Sequence, residues 1–363
     1  MTDSSSIAFG IEEEFFIEGS VNGRCPSLQQ MDLVFGKLAE RQDWSILQLP
    51  NTGCTWDSPH GGVGIWNDFS TNVLEIAYPV LDRPDQLIEL RERVFDMLLP
   101  ALKSADLSIA EGAVGFRRPD EIVLRPAPSP EYQIRLERDI QREPNGRELF
   151  CPYFYANICS TQVSFSISKS KWAQSVAGMY EYEHLIPLLY SRPIQTQGKS
   201  YRCLRHFILN DNWPEDQYVG YPKNISELVS GAELQPEPRT FKYANCVFRK
   251  PKRVEFRSCD RLETSQEILE MTCLRMLTLA AASKFKPSDD ETHFRQLYFA
   301  ACLDGTICTK TVRNQLERLK SILSAEQEII PQQFWGDYAE SLLQKLNVLG
   351  GGSVGSRHNA FGP

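Results

Sequence analysis

Residues 8 to 17, Ala-Phe-Gly-Ile-Glu-Glu-Glu-Phe-Phe-Ile, set three consecutive carboxylates inside an apolar run of strand composition. An extended chain alternates its side chains between two faces, so Glu12 and Glu14 point one way and Glu13 the other. Like charges on one face of an apolar strand repel and resist burial, and a cation or cationic substrate between them removes the conflict. Paired carboxylates of this kind suit Mg²⁺ held together with nucleotide phosphates. The plain alternative is an edge strand with solvated glutamates, for which Ile11-Glu12-Glu13-Glu14-Phe15 leaves no clean polar face.

The rest of the chain narrows the function classes. Its 363 residues are 42% hydrophobic and 24% charged, enough for a large core in one domain or two. The formal net charge of −8 disfavours a nucleic-acid or anionic-membrane binder. No run of membrane-spanning length is present, and Met-Thr-Asp-Ser-Ser-Ser lacks the basic and apolar regions of a signal peptide, so a cytoplasmic location is expected. Ten cysteines without a Cys-x-x-Cys pair read as free thiols, mostly small buried hydrophobes. Five scattered histidines give no zinc spacing. No Gly-x-Gly-x-x-Gly follows a strand, and Gln197-Gly198-Lys199-Ser200 fails as a phosphate-binding loop because Pro193 stands where its first glycine is needed.

Strand-like runs fall near 7–17, 63–69, 72–79, 107–112, 157–168, 240–248 and 253–259. Amphipathic helices are predicted from Ser27 to about Arg41, from Pro84 to Leu102, from Ser129 to Glu143, from Thr264 or Ser265 to Lys284, and over 309–324 and 332–347. This irregular mixture predicts an α+β fold with a largely antiparallel sheet. It is organised as one domain over 1–349, followed by a flexible Gly-rich tail over 350–363.

Carboxylates recur on the later strands. Glu75 interrupts Val73-Leu74-Glu75-Ile76-Ala77. Ser160, Gln162, Ser164 and Ser166 line one face of another run, and Arg253, Glu255 and Arg257 line one face of a fourth. A solvated outer face explains any one strand; four together suggest a concave polar surface able to hold metal, phosphate and an amino acid, with helices on the opposite side.

These segments carry a resemblance. Gly10-Ile11-Glu12-Glu13-Glu14-Phe15, the Glu75 segment, Ser160-Thr161-Gln162-Val163 and Val254-Glu255-Phe256-Arg257-Ser258-Cys259-Asp260 follow the order and spacing of the glutamate–cysteine ligase type 2 family, a branch of the glutamine-synthetase-like carboxylate-amine ligases. Ser191-Arg192-Pro193 through Gly198-Lys199, followed by Leu204-Arg205-His206, is similar to the family's substrate loop and its arginine. Two departures stand out. Gln162 occupies a position where bacterial members often carry a histidine ligand, closer to plant-type ligases, and Arg192 separates the serine from the proline.

The resemblance implies a glutamine-synthetase-like catalytic fold and an ATP-dependent ligase that forms an amide through an acyl phosphate. It also implies small-molecule substrates (an amino-acid carboxylate, an amine and ATP) and leaves a homo-oligomer open. Glu12, Glu14, Glu75 and Glu255, with Gln162 as neutral ligand, would cage Mg²⁺, about two or three ions. Arg257 and Arg205 would serve catalysis by binding phosphate or carboxylate in paired fashion, and Arg257 and Lys199 would bind the nucleotide. Asp260 would either support the site or cap the helix that follows. Three functions remain open on the sequence: glutamate–cysteine ligation, the same chemistry on another acid or amine, and a catalytically silent amino-acid or nucleotide binder.

Overall fold

The computed structural model describes residues 8–46, 53–125, 149, 153–166, 181–196, 198–212, 241–243, 246–249, 253–284, 291–303, 305, 310–325 and 332–351. The opening run forms strand β1 (Phe9–Gly19). Its odd-numbered side chains Phe9, Ile11, Phe15 and Ile17 enter the main core, leaving Glu12 and Glu14 on the other face, so the two-residue alternation holds.

β1 lies at the centre of a ten-stranded sheet. On one side it pairs with β5 (Val73–Ala77), and the sheet continues through β4 (Gly61–Asn67) and β3 (Gly53–Ser58) to β2 (Trp44–Ile46). On the other side it pairs with β7 (Thr161–Ser166), followed by β12 (Arg253–Phe256), β11 (Cys246–Arg249) and β10 (Phe241–Tyr243). β6 (Leu107–Ile109) pairs with the end of β1. All these pairings are antiparallel, as predicted. A separate hairpin joins β8 (Ile194–Thr196) to β9 (Lys199–Tyr201).

Helices cover the apolar face. In α1 (Leu28–Ala39) the Ser27 hydroxyl accepts from the Gln30 amide while the Gln30 side chain reaches back to Ser27, and Met31, Val34, Phe35 and Leu38 are buried. α2 (Pro84–Ser104) opens on proline, whose fixed φ suits a first helical turn, and buries Leu87, Leu90, Val94 and Leu98. Next come α3 (Leu185–Tyr190), α4 (Leu204–Asn212), α5 (Ser265–Lys284), α6 (Glu291–Leu303), α7 (Lys310–Ala325) and α8 (Gln332–Gly351). Every residue of α5 from Ile268 to Ala282 is buried. It is therefore a central helix enclosed on all sides, beyond the single apolar stripe expected for it. Its one arginine there, Arg275, is neutralised by Glu183 and stacks on Phe256.

A smaller cluster of Phe154, Ile158, Tyr201, Leu204, Phe207 and Tyr298 forms a second core distinct from the main one. Strands β2 and β3, the β8–β9 hairpin and helices α3, α4 and α6 are not among the predicted elements. β2 spans only three residues, and β3 begins on a glycine and contains exposed Asp57. α8 runs to Gly351, two residues past the boundary expected for the tail. The rest of the tail and the helix predicted over 129–143 lie outside the described residues. Of the seven cysteines recorded as free thiols among the described residues, six are buried. Among the described residues no helix is long and apolar enough to cross a membrane.

Candidate functional site

The register brings the carboxylates together. Glu14 sits directly opposite Glu75 across β1 and β5, and Glu12 opposite Gln162 across β1 and β7. Opposed residues on one face of an antiparallel pair have Cβ atoms about 5 Å apart, so the charges of Glu14 and Glu75 must be accommodated side by side. One strand further, β12 places Glu255 opposite Ser164.

A residue that the sequence reading missed completes the group. Asp68 follows the last residue of β4, and carboxylate oxygens of Glu14, Asp68 and Glu75 all lie within 4.8 Å of one another. Its loop is fixed by a buried polar network. Asn67 Nδ2 donates to the carbonyls of Thr71 and Val73 at 3.2 Å each, Ser70 Oγ donates to Asn72 Oδ1 at 2.7 Å, and Asn72 Nδ2 donates to the Ala156 carbonyl at 2.8 Å. Thr71 Oγ1 is tied to the Pro26 carbonyl at 2.6 Å. Each bond satisfies a group that would be costly to bury alone, so the turn has little freedom and Asp68 is held in place. The available signal was the acid directly after the Glu75-facing strand; a single aspartate in a turn carries a capping reading equally well.

The cage is electrostatically strained as it stands. Burial pushes the Glu75 carboxyl well above the usual carboxylate range, and the charges of Asp68, Glu12 and Glu14 push the same way, with Arg257 opposing them. Glu14 is oriented by its neighbours: Oε2 accepts from the Ser160 amide and hydroxyl, both at 2.8 Å, and Oε1 accepts from Gln162 Nε2 at 2.8 Å. Because that carboxylate needs a donor, the Gln162 amide must present Nε2 to it. Gln162 Oε1 is then left buried without a hydrogen-bond partner among the described residues.

An unsatisfied buried carbonyl oxygen beside mutually repelling carboxylates is a donor set suited to a hard cation such as Mg²⁺. Glu14, Asp68 and Glu75 would hold it, with Glu12 and Gln162 flanking.

The cationic residues divide by location. Arg257 Nε donates to Glu255 Oε1 at 2.7 Å, with Glu255 buried and Arg257 partly exposed. Arg205 is buried beneath this strand end, and its Nη1 donates to the Arg257 carbonyl at 2.7 Å. Asp260 is buried beside Arg205, accepts from the Cys203 thiol at 3.3 Å and bridges to Ser160. The cap of α5 is made instead by Thr264 Oγ1, which accepts from the Glu267 amide. Asp260 therefore does not cap α5. Lys199 lies exposed on the β8–β9 hairpin, which pairs with no strand of the main sheet among the described residues.

The fold has solved relatives. A glutamate–cysteine ligase from Francisella tularensis, in complex with AMP, superposes with a TM-score of 0.57 at 14% identity, over 96% of this chain and 83% of that one. A bifunctional glutathione synthetase from Pasteurella multocida gives a TM-score of 0.57 at 15% identity, over 96% of this chain and 51% of that one, so this chain spans about half its length. At such identities the likeness establishes the fold. No family profile matches the chain, and no curated protein sequence matches it.

Proposed function

We propose that this chain is an ATP- and Mg²⁺-dependent ligase that joins a carboxylate to an amine through an acyl phosphate, with L-glutamate and L-cysteine as the leading substrate pair. The observation that carries this reading is the convergence of the Glu14, Asp68 and Glu75 carboxylates on the polar face of a sheet whose other face is packed with helices. The fold shared with the glutamate–cysteine ligase of known structure supports it.

In the proposed reaction an oxygen of the substrate carboxylate attacks the γ-phosphorus of ATP and ADP leaves. The amine nitrogen then attacks the acyl carbon, phosphate departs with the acyl C–O bond's electrons, and the amine gives up a proton. Bound Mg²⁺ would offset the charge of the triphosphate and polarise its oxygens. The Arg257 guanidinium, steadied by Glu255, is suited to stabilise the negative charge spread over the transferring phosphoryl group. Ser160 and Gln162 fix the Glu14 carboxylate before substrate arrives, so no reorganisation is required during transfer. Arg205 acts as a positioning residue by holding the Arg257 main chain.

The test is ADP release by purified protein given Mg²⁺, ATP, L-glutamate and L-cysteine, with hydroxylamine trapping the activated acid as a hydroxamate. ADP and a γ-linked dipeptide support the assignment, with both abolished by EDTA. ADP formation only with a different acid or amine moves the substrate assignment, and none with any pair, despite measurable ATP binding, leaves a silent binder.

A further inference from the structure

Trp66 is set apart from the other tryptophans described. Trp44 and Trp56 stack on each other at 5.9 Å and donate to Met97 Sδ and Asp43 Oδ2 respectively, and Trp335 packs edge-on against Phe9. Trp66 is half-buried and lies on the polar face, with neither a ring contact nor a hydrogen-bond partner among the described residues. In register it stands opposite Glu75 on β5 and opposite Gly53 on β3.

Two strand glycines make room for it. A Cβ on Gly64 would meet the indole Cζ3 at 2.1 Å and Cη2 at 3.2 Å, so the ring lies back along its own strand across Gly64. A Cβ on Gly53 would meet the Trp66 Cβ at 2.8 Å. Glycine inside a strand weakens it by roughly 0.5–1 kcal/mol and often marks a close approach by another group. Here the close approach lays a flat indole against the sheet, one strand from the carboxylate cage.

That spacing limits the occupant. Neighbouring strands are about 4.8 Å apart, so a group stacked on Trp66 lies close to whatever is held at the cage that Glu75 helps to form. A nucleobase is the competing occupant; the ribose and the whole triphosphate separate it from the γ-phosphate, and the ATP-analogue arm of the experiment tests it. We propose that Trp66 is the binding platform for a side group of the acid or amine substrate, and that this side group is apolar or aromatic, so that one member of the L-glutamate and L-cysteine pair is replaced while the ligase chemistry stays the same. The proposal rests on the carboxylate cage being the substrate site, and it gives Trp66 a role in specificity: a broad apolar surface discriminates side chains by the area they bury.

The experiment compares wild-type protein with Trp66→Phe and Trp66→Leu by intrinsic fluorescence and ADP release, in Mg²⁺ with a non-hydrolysable ATP analogue or ATP. The probes are L-glutamate, L-cysteine, L-leucine and L-phenylalanine. Each is offered as acid, with hydroxylamine as an amine lacking a side group, and as amine, with each acid in turn. The expected result is a fluorescence change with L-leucine or L-phenylalanine that vanishes in Trp66→Phe. Trp66→Leu should weaken binding of that probe by roughly three- to tenfold, while Trp66→Phe retains most of the affinity. The arm in which this occurs tells acid from amine.

Three outcomes overturn the proposal: a Trp66-dependent signal from the ATP analogue alone, no Trp66-dependent signal from any probe, or a lower melting temperature in Trp66→Leu with unchanged binding. In the last case the indole serves only to shield Gly53 and Gly64, as cross-strand aromatics do. Binding is read without turnover, so the two readings fail separately. ADP release from L-glutamate and L-cysteine that ignores Trp66 removes the platform and keeps the ligase. Trp66-dependent binding without ADP release does the reverse.

Discussion

Glu13 accepts a hydrogen bond from Arg91 Nε at 3.0 Å, with its side chain fully buried on the core side of the strand whose other side carries Glu12 and Glu14. Tyr78 donates its hydroxyl to the same carboxylate at 2.9 Å. Arg91 also reaches the Glu263 carbonyl at 2.8 Å, so the pair joins β1 and α2 to the segment leading into α5. The three adjacent glutamates therefore do opposite jobs, and replacing them should have opposite consequences.

Glu13→Gln removes one member of a buried ion pair and leaves the Arg91 charge uncompensated. Denaturant unfolding should show a loss of about 3 kcal/mol. A stability equal to wild type would mean that Arg91 finds another partner. Activity per folded molecule should fall far less than in the variants of the cage.

Glu14→Gln and Glu75→Gln each relieve repulsion in the cage. In metal-free buffer their melting temperatures should equal or exceed that of wild type. Mg²⁺ should raise the wild-type melting temperature, since a ligand at about one hundred times its Kd stabilises by about 2.7 kcal/mol, and the rise should be lost in both variants together with ADP release. Asp68→Asn should behave as they do. An undiminished Mg²⁺ response in Asp68→Asn would remove Asp68 from the cation site.

Arg257→Lys keeps the charge and loses the planar guanidinium whose Nε bonds Glu255. It should lower kcat by roughly tenfold or more with little change in melting temperature. Arg205→Lys, whose wild-type contact is the Arg257 carbonyl, should lower both the melting temperature and kcat. Full activity in Arg257→Lys would reduce that residue to an ion-pair partner.

His184 is fully buried at the start of α3, and neither ring nitrogen has a hydrogen-bond partner among the described residues. Burial first, and the charge of His293 second, push its pKa down to about 3. In the unfolded chain the imidazole takes up its proton near pH 6.5. Below that pH the unfolded state binds a proton that the folded state refuses, so stability contributed by the neutral ring is full above about 6.5 and is lost as pH falls toward the folded value. The slope from this group approaches about 1.4 kcal/mol per pH unit. Denaturation of wild type and His184→Leu at pH 7, 6 and 5 should show the variant losing less stability on acidification. Parallel pH curves would refute the buried neutral histidine.

The sequence by itself determined which residues could share a face. Two-residue alternation places Glu12 and Glu14 opposite Glu13, and it marks Glu75, Gln162 and Glu255 as polar interruptions of β-prone runs, because that period is a property of the extended chain. It also marks the Ser27–Gln30 capping box and the proline start of α2, which are contacts within one turn.

Tertiary structure decided what those faces meet. Arg91 lies 78 residues from Glu13, and no local period links them. Asp68 joins the cage only because a buried network spanning 84 residues, from Asn72 to Ala156, holds its turn. The full burial of α5 and the seating of Trp66 across Gly64 likewise follow from which elements pack together. Pairing register and long-range packing are set by the whole core, so the sequence could name most of the carboxylates, while only the folded chain shows which of them converge.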